Sequence, residues 1–449
     1  MKRLLIVNLQ KKLLDLVMIL GINFLIYGLA QYLGLARVWI NIDYVIVALC
    51  AISRFKWAYY PLWIMVFLSD LCLCLAQIFP FFRLSDILYI LKFVLISSFY
   101  YQLACIAILG IICLNVWLNY KRHLDKHLLY SLLLVCSIGF CIQSIFVQKQ
   151  HIFSSQAVEF VSLQFEGFHQ AVNQNSEQLQ LLKQPSIAVQ QLEQRINIDK
   201  NPPNVLFIVA ESLGALKNLE TQNAVIAPLL KSEKIKNLQL DKASYVSATV
   251  QAELRELCQA EAKNFNLKDL QTGFENCLAQ QFKQRGYMTT AMHGALGIMY
   301  DRKSWYPRAG FDQIIFRDTQ QWKTRCYSFP GICDRELAAQ VAAQFKQPQP
   351  QFFYWLTLNT HAIYDLRDLH QDGFDCVQYG VKSETETCRN LKLHWQFFHT
   401  LAQLLEQPQM ENSIVIVVGD HTPAILDQIE KTEYFDENNV LILSFQTQS

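Results

Sequence analysis

Residues 204–212 read NVLFIVAES, an apolar run from Val205 to Ala210 that ends directly in Glu211. Residues 413–421 read SIVIVVGDH and have the same form, with Asp420 and His421 at the end of the run. Short apolar runs without polar breaks are typical of parallel strands that are buried on both faces. Ligands bind outside the carboxyl ends of such strands. These two stretches therefore predict the fold class and the edge of the sheet where a site would lie.

Further apolar runs complete the predicted sheet, and stretches with helical periodicity separate them. The predicted strands cover residues 205–209, 288–292, 352–358, 413–418 and 440–445. A chain in which strands alternate with helices forms a mostly parallel sheet with helices on both faces. We therefore predict an α/β domain over residues 204–449.

The first third of the chain has a different composition and predicts a membrane domain. Apolar runs of the order needed to cross a bilayer, about 20 residues of helix, occur at 13–34, 38–53, 58–80, 87–119 and 128–147. Lysine and arginine precede the first run, follow the second and precede the fifth, which places the N-terminus in the cytoplasm. We predict a five-helix transmembrane bundle over residues 1–147 and amphipathic juxtamembrane linker helices over 148–203. The α/β domain then lies on the extracytoplasmic, periplasmic side of the cytoplasmic (inner) membrane.

Overall composition excludes several classes of protein. Charged residues make up 17% of the 449 residues, against about 25% in soluble domains, and 52% are hydrophobic, so the composition argues against a purely soluble enzyme. The net charge of +1 gives no electrostatic reason for a nucleic-acid partner. An aromatic content of 12% excludes general disorder.

The thirteen cysteines divide between the two predicted regions. Seven lie in the predicted spans, and the other six form couples that are close in sequence: Cys258 with Cys277, Cys326 with Cys333, and Cys376 with Cys388. An even number in an oxidising compartment predicts disulfides, although six cysteines allow fifteen pairings. Free thiols in a reducing cytosol are the alternative.

Chemically active side chains follow four of the predicted strands: Glu211, His293, His361, and Asp420 with His421. Taken singly, each is more often a helix cap or a surface residue. Together, carboxylate and imidazole groups from separate strands are the ligands that zinc or manganese prefers. Thr249 begins a helical pattern in YVSATVQAELREL, where backbone N–H groups and the helix dipole suit a phosphate. The alternative for Thr249 is a simple helix cap.

In these motifs the chain resembles the membrane branch of the alkaline phosphatase and sulfatase superfamily, which includes lipoteichoic acid synthase, phosphoglycerol transferases and lipid A phosphoethanolamine transferases. The matching motifs, in chain order, are Glu211 in VAESLG, Thr249 and Glu253 in TVQAE, His293 and Arg302 in HGALGIMYDR, His361 in NTHAIY, and Asp420 and His421 in GDH.

The resemblance implies a metal-dependent transferase. Glu211, Thr249, Asp420 and His421 would hold one divalent ion, zinc or manganese, with magnesium as a further possibility. Thr249 would take the head group of a membrane phospholipid as a phospho-threonine ester and pass it to a glycan or lipid acceptor. His361 would act as acid or base and contact the substrate. We expect an integral membrane monomer.

The resemblance also implies that His293 and Arg302 bind phosphate. A surface salt bridge is the alternative for Arg302.

Some features depart from the lipoteichoic acid synthases. Ala295 stands where those enzymes have an acidic residue, and the cysteine couples are closer to the phosphoethanolamine transferases. The chain stops soon after NNVLILSF, so we expect one edge of the sheet to be trimmed. A hydrolase with water as acceptor and a non-catalytic membrane partner are the alternative functions. A formylglycine sulfatase is not indicated, because no Cys/Ser-x-Pro-x-Arg motif lies near Thr249.

Overall fold

The chain folds as two compact units, Met1–Asn173 and Gln174–Ser449, in a computed structural model. The residues that the structure describes are 2–32, 37–53, 56–78, 99–121, 124–145, 152–162, 179–196, 202–246, 249–262, 267–328, 331–362, 364–425 and 427–448.

The first unit consists mainly of apolar helices. They are α1 (Lys2–Tyr32), α2 (Ile42–Ile52), α3 (Tyr59–Ile78), α4 (Phe99–Lys121) and α5 (Lys126–Ile145). Two short strands, Ile40–Asn41 and Phe153–Ser154, pair in parallel. Large apolar side chains lie on both the buried and the exposed faces of these helices, the pattern that a membrane-spanning helix would show.

Two stretches of the described helices are long and apolar enough to cross a membrane, Gln10–Gln31 and Lys126–Gln143. Three further apolar helical stretches, Ile42–Ile52, Tyr59–Cys74 and Cys105–Leu118, are shorter. Residues 79–98 lie outside the described residues, and they include the end of the predicted third span and residues 87–98 of the predicted fourth. The bundle of five spans therefore stays a prediction.

A buried ion pair joins the α1–α2 connection to α3. Arg37 donates from Nε and Nη2 to the two carboxylate oxygens of Asp70, over 2.9 and 2.6 Å. Neither side chain is exposed. Asn23 and Tyr44 add hydrogen bonds to this pair. Buried charged groups are tolerated where they pair with each other and their remaining hydrogen-bond partners are satisfied, as they are here.

The second unit is built on an eight-stranded mixed sheet. Its strands are β1 (Asn204–Ala210), β2 (Gly214–Leu216), β3 (Ile235–Ser244), β4 (Met288–His293), β5 (Gln313–Phe316), β6 (Gln351–Leu356), β7 (Ser413–Gly419) and β8 (Phe435–Thr447). The order is β2-β8-β7-β1-β6-β4-β5, and β3 also pairs with β8. The five strands from β7 to β5 are parallel, whereas β8 is antiparallel to its neighbours.

All five predicted strands are present, and three strands were missed. The third predicted strand is two residues too long, because β6 ends at Leu356. The missed strands β2 and β5 have only three and four residues, too few to show a periodic pattern. The missed β3 reads IKNLQLDKAS and is largely exposed along its length, so it has no apolar face from which a strand could be predicted.

Helices cover both faces of this sheet, as predicted. They are α6 (Ile187–Arg195), α7 (Leu219–Val225), α8 (Ala227–Leu230), α9 (Thr249–Cys258), α10 (Leu278–Gln284), α11 (Arg302–Trp305), α12 (Asp334–Gln344), α13 (Glu386–Leu405) and α14 (Gln428–Tyr434). Alternate residues of β1 enter opposite cores: Phe207 packs in the core that includes α9 and α10, and Ile208 in the core that includes α12 and α13. Every apolar residue of the quoted run is thereby buried, which explains its unbroken hydrophobicity.

The predicted linker, residues 148–203, is described only in part. Residues 148–151, 163–178 and 197–201 lie outside the described residues. From Leu179 onward the chain belongs to the second unit: Leu179–Leu181 pairs with Ala260–Ala262, and α6 packs its buried side chains on the sheet.

The six predicted extracytoplasmic cysteines form three disulfides. The pairs are Cys258–Cys277, Cys326–Cys333 and Cys376–Cys388, as the couples in the sequence indicate.

Replacing both Cys258 and Cys277 by serine is expected to lower the free energy of unfolding by about 3 kcal/mol, the chain-entropy value for a loop of this length. This disulfide joins the end of α9 to the residue before α10, 19 positions along the chain. Denaturant unfolding of the full chain in detergent measures the change. An unchanged unfolding midpoint under oxidising conditions would contradict the prediction.

Candidate metal and nucleophile site

Two carboxylates lie side by side where β1 and β7 end. The strands are parallel neighbours with Ala210 opposite Gly419, so the next residue of each strand, Glu211 and Asp420, emerges at the same edge. The Asp420 N–H donates to the Ala210 carbonyl over 3.2 Å and holds this register.

Gly419 lets the backbone approach closely at this point. A Cβ atom there would lie 2.0 Å from the Leu213 carbonyl oxygen, well inside van der Waals contact. The glycine of the GDH motif is therefore required by packing, and it allows the turn after β1 to lie against the end of β7.

Glu211, Asp420 and His421 form a cluster, called here the ligand triad. Each offers one ligand atom, and these atoms lie within 4.8 Å of one another. His421 Nε2 is 3.4 Å from Glu211 Oε1 and 3.2 Å from Asp420 Oδ2. Both carboxylates are buried, whereas the His421 side chain is 19% exposed. The triad therefore has one side open to solvent.

The electrostatics of the ligand triad fit a divalent cation. Burial and the neighbouring Glu211 raise the pKa of Asp420 to about 6. Burial alone would lower the pKa of His421, but Asp420 and Glu211 raise it. Asp420 Oδ2 is buried and has no hydrogen-bond partner among the described residues. Two adjacent buried carboxylates repel each other unless a positive charge lies between them, and carboxylate and imidazole ligands suit zinc or manganese.

Thr249 lies beside the ligand triad. It is the first residue of α9 and is 7% exposed. Its Oγ1 donates to Glu211 Oε2 over 3.5 Å. The structure thus brings together four predicted residues: one hydroxyl and the three members of the triad.

Two threonines missed in the sequence hold Glu211. The Glu211 N–H donates to Thr357 Oγ1 over 2.9 Å, and the Thr360 hydroxyl donates to the Glu211 carbonyl. Both follow β6, the parallel neighbour of β1. Both threonines lie in the stretch LTLNTH. The only sequence feature that could have identified them is that they are hydroxyl residues at the end of a neighbouring strand.

His361, at the end of that turn, interacts electrostatically with His421 and Asp420. Its Nδ1 is 2.6 Å from the Ala362 carbonyl oxygen. A carbonyl oxygen only accepts, so Nδ1 carries the proton and Nε2 has a lone pair in the neutral ring. Burial lowers the pKa of His361 to about 4, so the ring is neutral near pH 7.

His293 ends β4 and is similarly neutral. Its Nδ1 is 3.0 Å from the Leu356 carbonyl oxygen, which fixes the proton on Nδ1. Burial and the nearby Arg302 lower the pKa of His293 well below its ordinary value. A neutral His293 therefore offers an acceptor at Nε2, whereas a phosphate oxygen requires a donor.

Arg302 forms a buried ion pair with Glu253. Its Nε and Nη2 donate to the Glu253 carboxylate at distances from 2.6 to 3.2 Å. The hydroxyls of Tyr306 and Tyr354 donate to the same carboxylate. Arg302 is 1% exposed, so the surface salt bridge considered for it is wrong. These bonds use Nε and Nη2, so Nη1 takes no part in the ion pair with Glu253.

Glu253→Gln is expected to destabilise the chain by about 3–5 kcal/mol, because it leaves the buried charge of Arg302 without a partner. Thermal unfolding of the full chain should show a fall of roughly 10 °C. A Glu253→Leu/Arg302→Leu double variant should recover much of this stability, since it removes both buried charges. Equal unfolding midpoints for the Glu253→Gln variant and the parent would contradict the prediction.

Comparison with known proteins identifies the family of the domain that contains this site. The sequence model of the family described as Sulfatase matches residues 203–442, more than half of the chain. The chain belongs to the sulfatase family. No curated protein sequence matches this sulfatase-family chain.

Solved structures similar to the sulfatase-family chain include three with low sequence identity. The lipoteichoic acid synthase LtaP from Listeria monocytogenes is 16% identical over 58% of this chain and 71% of its own, with a TM-score of 0.42. The phosphoglycerol transferase GacH from Streptococcus pyogenes is 14% identical over 60% and 77%, with a TM-score of 0.40. The C-terminal periplasmic domain of EcEptC from Escherichia coli is 14% identical over 57% and 75%, with a TM-score of 0.40.

The sulfatase-family site also includes Tyr300, which the sequence analysis did not single out. Its pKa is raised by burial, and it interacts electrostatically with Glu211 and Asp420. The Tyr300 ring lies 4.7 Å from the Arg302 guanidinium carbon, and Tyr300 has a left-handed backbone with φ of 53°. The aromatic residue within HGALGIMYDR was the signal that could have identified it.

Proposed function

We propose that the chain transfers the head group of a membrane phospholipid, phosphoethanolamine or phosphoglycerol, to a glycan or lipid of the cell envelope. The observation that carries the proposal is a hydroxyl next to a cluster of groups that could bind an ion: Thr249 Oγ1 hydrogen bonds Glu211, which belongs to the ligand triad. Sulfatase-family membership supports chemistry at phosphorus or sulfur. A threonine without a formylglycine motif favours phosphorus.

Glu211, Asp420 and His421 would hold the divalent ion, with Thr249 as a fourth ligand. When bound, the ion would lower the pKa of the Thr249 hydroxyl and neutralise charge on phosphoryl oxygens. The nucleophilic attack and the proton transfers would be carried out by side chains of the protein.

In the first step, Thr249 Oγ1 forms a bond to the phosphorus of the head group. The bond from phosphorus to the diacylglycerol oxygen breaks, and that oxygen leaves with the electron pair. The hydroxyl proton of Thr249 is transferred away, and the leaving oxygen gains a proton to become diacylglycerol. His361 is the group that we assign to these proton transfers, because its Nε2 has a lone pair and it interacts with the triad.

In the second step, an acceptor hydroxyl attacks the phosphorus of the threonine ester. The bond to Thr249 Oγ1 breaks, the threonine recovers its proton, and the head group is joined to the acceptor. His361 would take the proton of the attacking hydroxyl, since its neutral Nε2 is an acceptor.

Arg302 is assigned to the phosphate oxygens and His293 to another polar group of the substrate, because only Arg302 offers donors. Arg302 is held from one side by Glu253, and its Nη1 retains donors for a phosphate oxygen. His293, neutral with its proton on Nδ1, would accept from a protonated group of the substrate. The backbone N–H groups at the start of α9 would add further donors.

A membrane anchor gives this chemistry a physical reason. The acyl chains of the donor stay in the bilayer, so an enzyme tethered to the same membrane meets the head group at a high effective concentration. We propose a multi-pass monomer in the cytoplasmic membrane with the second unit on the periplasmic side. The three disulfides support an oxidising compartment for that unit.

A transfer assay tests the proposal. The full chain is reconstituted in vesicles that contain phosphatidylethanolamine or phosphatidylglycerol with a labelled head group, and cell-envelope glycans and lipids are added. We expect release of diacylglycerol together with label in a glycan or lipid product. Label only in the free, water-soluble head group would instead identify a hydrolase, and no release of diacylglycerol would contradict both enzymatic functions.

A further inference from the structure

Ser212, which follows Glu211, has an unfavourable backbone conformation. Its φ is 58°, in the left-handed region. For residues other than glycine this region is disfavoured, because Cβ crowds the carbonyl oxygen that follows. Such a conformation persists only where neighbouring groups hold it. Ser212 is 1% exposed, so those neighbours are protein groups rather than bulk water.

Ser212 hydrogen bonds both carboxylates of the ligand triad. Its N–H donates to Asp420 Oδ1 over 2.7 Å, and its Oγ donates to Glu211 Oε1 over 3.1 Å. The bond to Oδ1 turns the other oxygen of Asp420, Oδ2, toward His421, 3.2 Å from Nε2. The backbone of Ser212 therefore sets the orientation of two predicted metal ligands.

Two side chains of α13 bind Ser212 from the other side. The Ser212 carbonyl accepts from His394 Nε2 over 3.0 Å and from Asn390 Nδ2 over 3.5 Å. His394 and Asn390 are four residues apart, so they project from the same face of the helix. Both are buried, at 2% and 0% exposure. The Ser212 carbonyl also accepts the Gly214 N–H over 3.2 Å. Two of its hydrogen-bond partners are therefore on a helix about 180 positions away in sequence, and one is local.

The hydrogen bonding of His394 fixes its proton. Burial lowers the pKa of His394 to about 4, so the ring is neutral near pH 7. Because the Ser212 carbonyl only accepts, the single proton is on Nε2. His394 Nδ1 is buried without a partner among the described residues. An unpaired buried nitrogen costs free energy that an apolar side chain would not. The presence of a histidine here is therefore explained by the hydrogen bond that its Nε2 donates to Ser212.

We infer that His394, assisted by Asn390, is a positioning residue for the metal ligands: it holds Ser212 in the left-handed conformation from which Ser212 orients Glu211 and Asp420. The inference rests on the proposed function, in which these carboxylates bind a divalent ion. Groups that orient metal ligands are commonly worth 10- to 100-fold, roughly, in metal affinity. His394 hydrogen bonds no member of the ligand triad in the described structure, so it acts through Ser212.

The test is titration calorimetry of the full chain in detergent with Zn²⁺ and Mn²⁺. His394→Leu removes the donor and is expected to raise the ion Kd by about 10- to 100-fold. His394→Gln is expected to stay within about threefold of the parent, since its amide nitrogen reaches the place of Nε2. At saturating ion, the leucine variant should recover most of the parental kcat for transfer.

A second pair of variants separates positioning from packing. Phe398→Leu, on the next turn of α13 and 0% exposed, should lower the unfolding midpoint without changing the ion Kd. In a Ser212→Gly background, His394→Leu should have a much smaller effect on the ion Kd, because glycine adopts a positive φ without strain. Should the leucine variant not fold, His394→Met replaces it in every comparison.

The outcomes distinguish the two proposals. A parent chain that binds neither ion would overturn the proposed function together with this inference. A parent that binds an ion, with an unchanged Kd in His394→Leu, would overturn the inference alone. The same holds if Phe398→Leu raises the Kd as much as His394→Leu does, or if His394→Gln is as weak as His394→Leu.

Discussion

Replacing Thr249 by alanine is expected to reduce head-group transfer by at least about a thousandfold, because the variant lacks the oxygen that would form the ester. The fold should tolerate the change: Thr249 is at the first position of α9, and its only hydrogen bond to a described side chain is the long contact to Glu211. Transfer of labelled head group in vesicles measures the effect.

Thr249→Ser is the matched control for this prediction. Serine keeps the hydroxyl at the same position and should retain much of the parental activity. The unfolding midpoints of both variants should stay close to that of the parent. An alanine variant with parental activity would remove Thr249 as the nucleophile, whatever the role of the ligand triad.

Asp420→Asn is expected to abolish tight binding of the divalent ion and to reduce transfer by about a hundredfold or more. Asparagine keeps an oxygen that accepts from the N–H groups of Ser212 and His421, both 2.7 Å from Asp420 Oδ1. It removes the negative charge and replaces Oδ2, the buried oxygen without a hydrogen-bond partner in the described structure. The local backbone should therefore survive while the ion site does not.

Metal content and titration calorimetry measure this effect. Asp368→Asn is the control, because Asp368 is also buried and accepts the N–H groups of Tyr327 and Ser328, yet does not belong to the ligand triad. It should bind the ion like the parent. Equal ion contents in Asp420→Asn and the parent would show that the ion is held elsewhere.

The core of the fold was predictable because strands that are buried on both faces have unbroken apolar sequences. For β1 and β7, the position of Glu211 and Asp420 followed directly, since parallel strands end at the same edge. The polar edge strand β3 left no such pattern, because its side chains face solvent. Its pairing with β8 joins segments that are far apart in sequence, so a local sequence pattern could not predict it.

The site was predictable where chemically active residues follow several strand ends in one domain and match the motifs of a known family. Glu211, Thr249, Asp420 and His421 come together as predicted. The role of Glu253 as partner of Arg302 was not foreseen, since the two are 49 positions apart. His394 was missed for the same reason: one histidine inside an amphipathic helix resembles any core residue until its contact with Ser212 is known.

The most direct test of the central claim is tandem mass spectrometry of the full chain, isolated after incubation with phospholipid vesicles without an acceptor. The account predicts a peptide in which Thr249 carries a phosphorylated head group, and no such peptide from Asp420→Asn. Release of diacylglycerol while Thr249 stays unmodified, with the ester on another residue, would contradict the account.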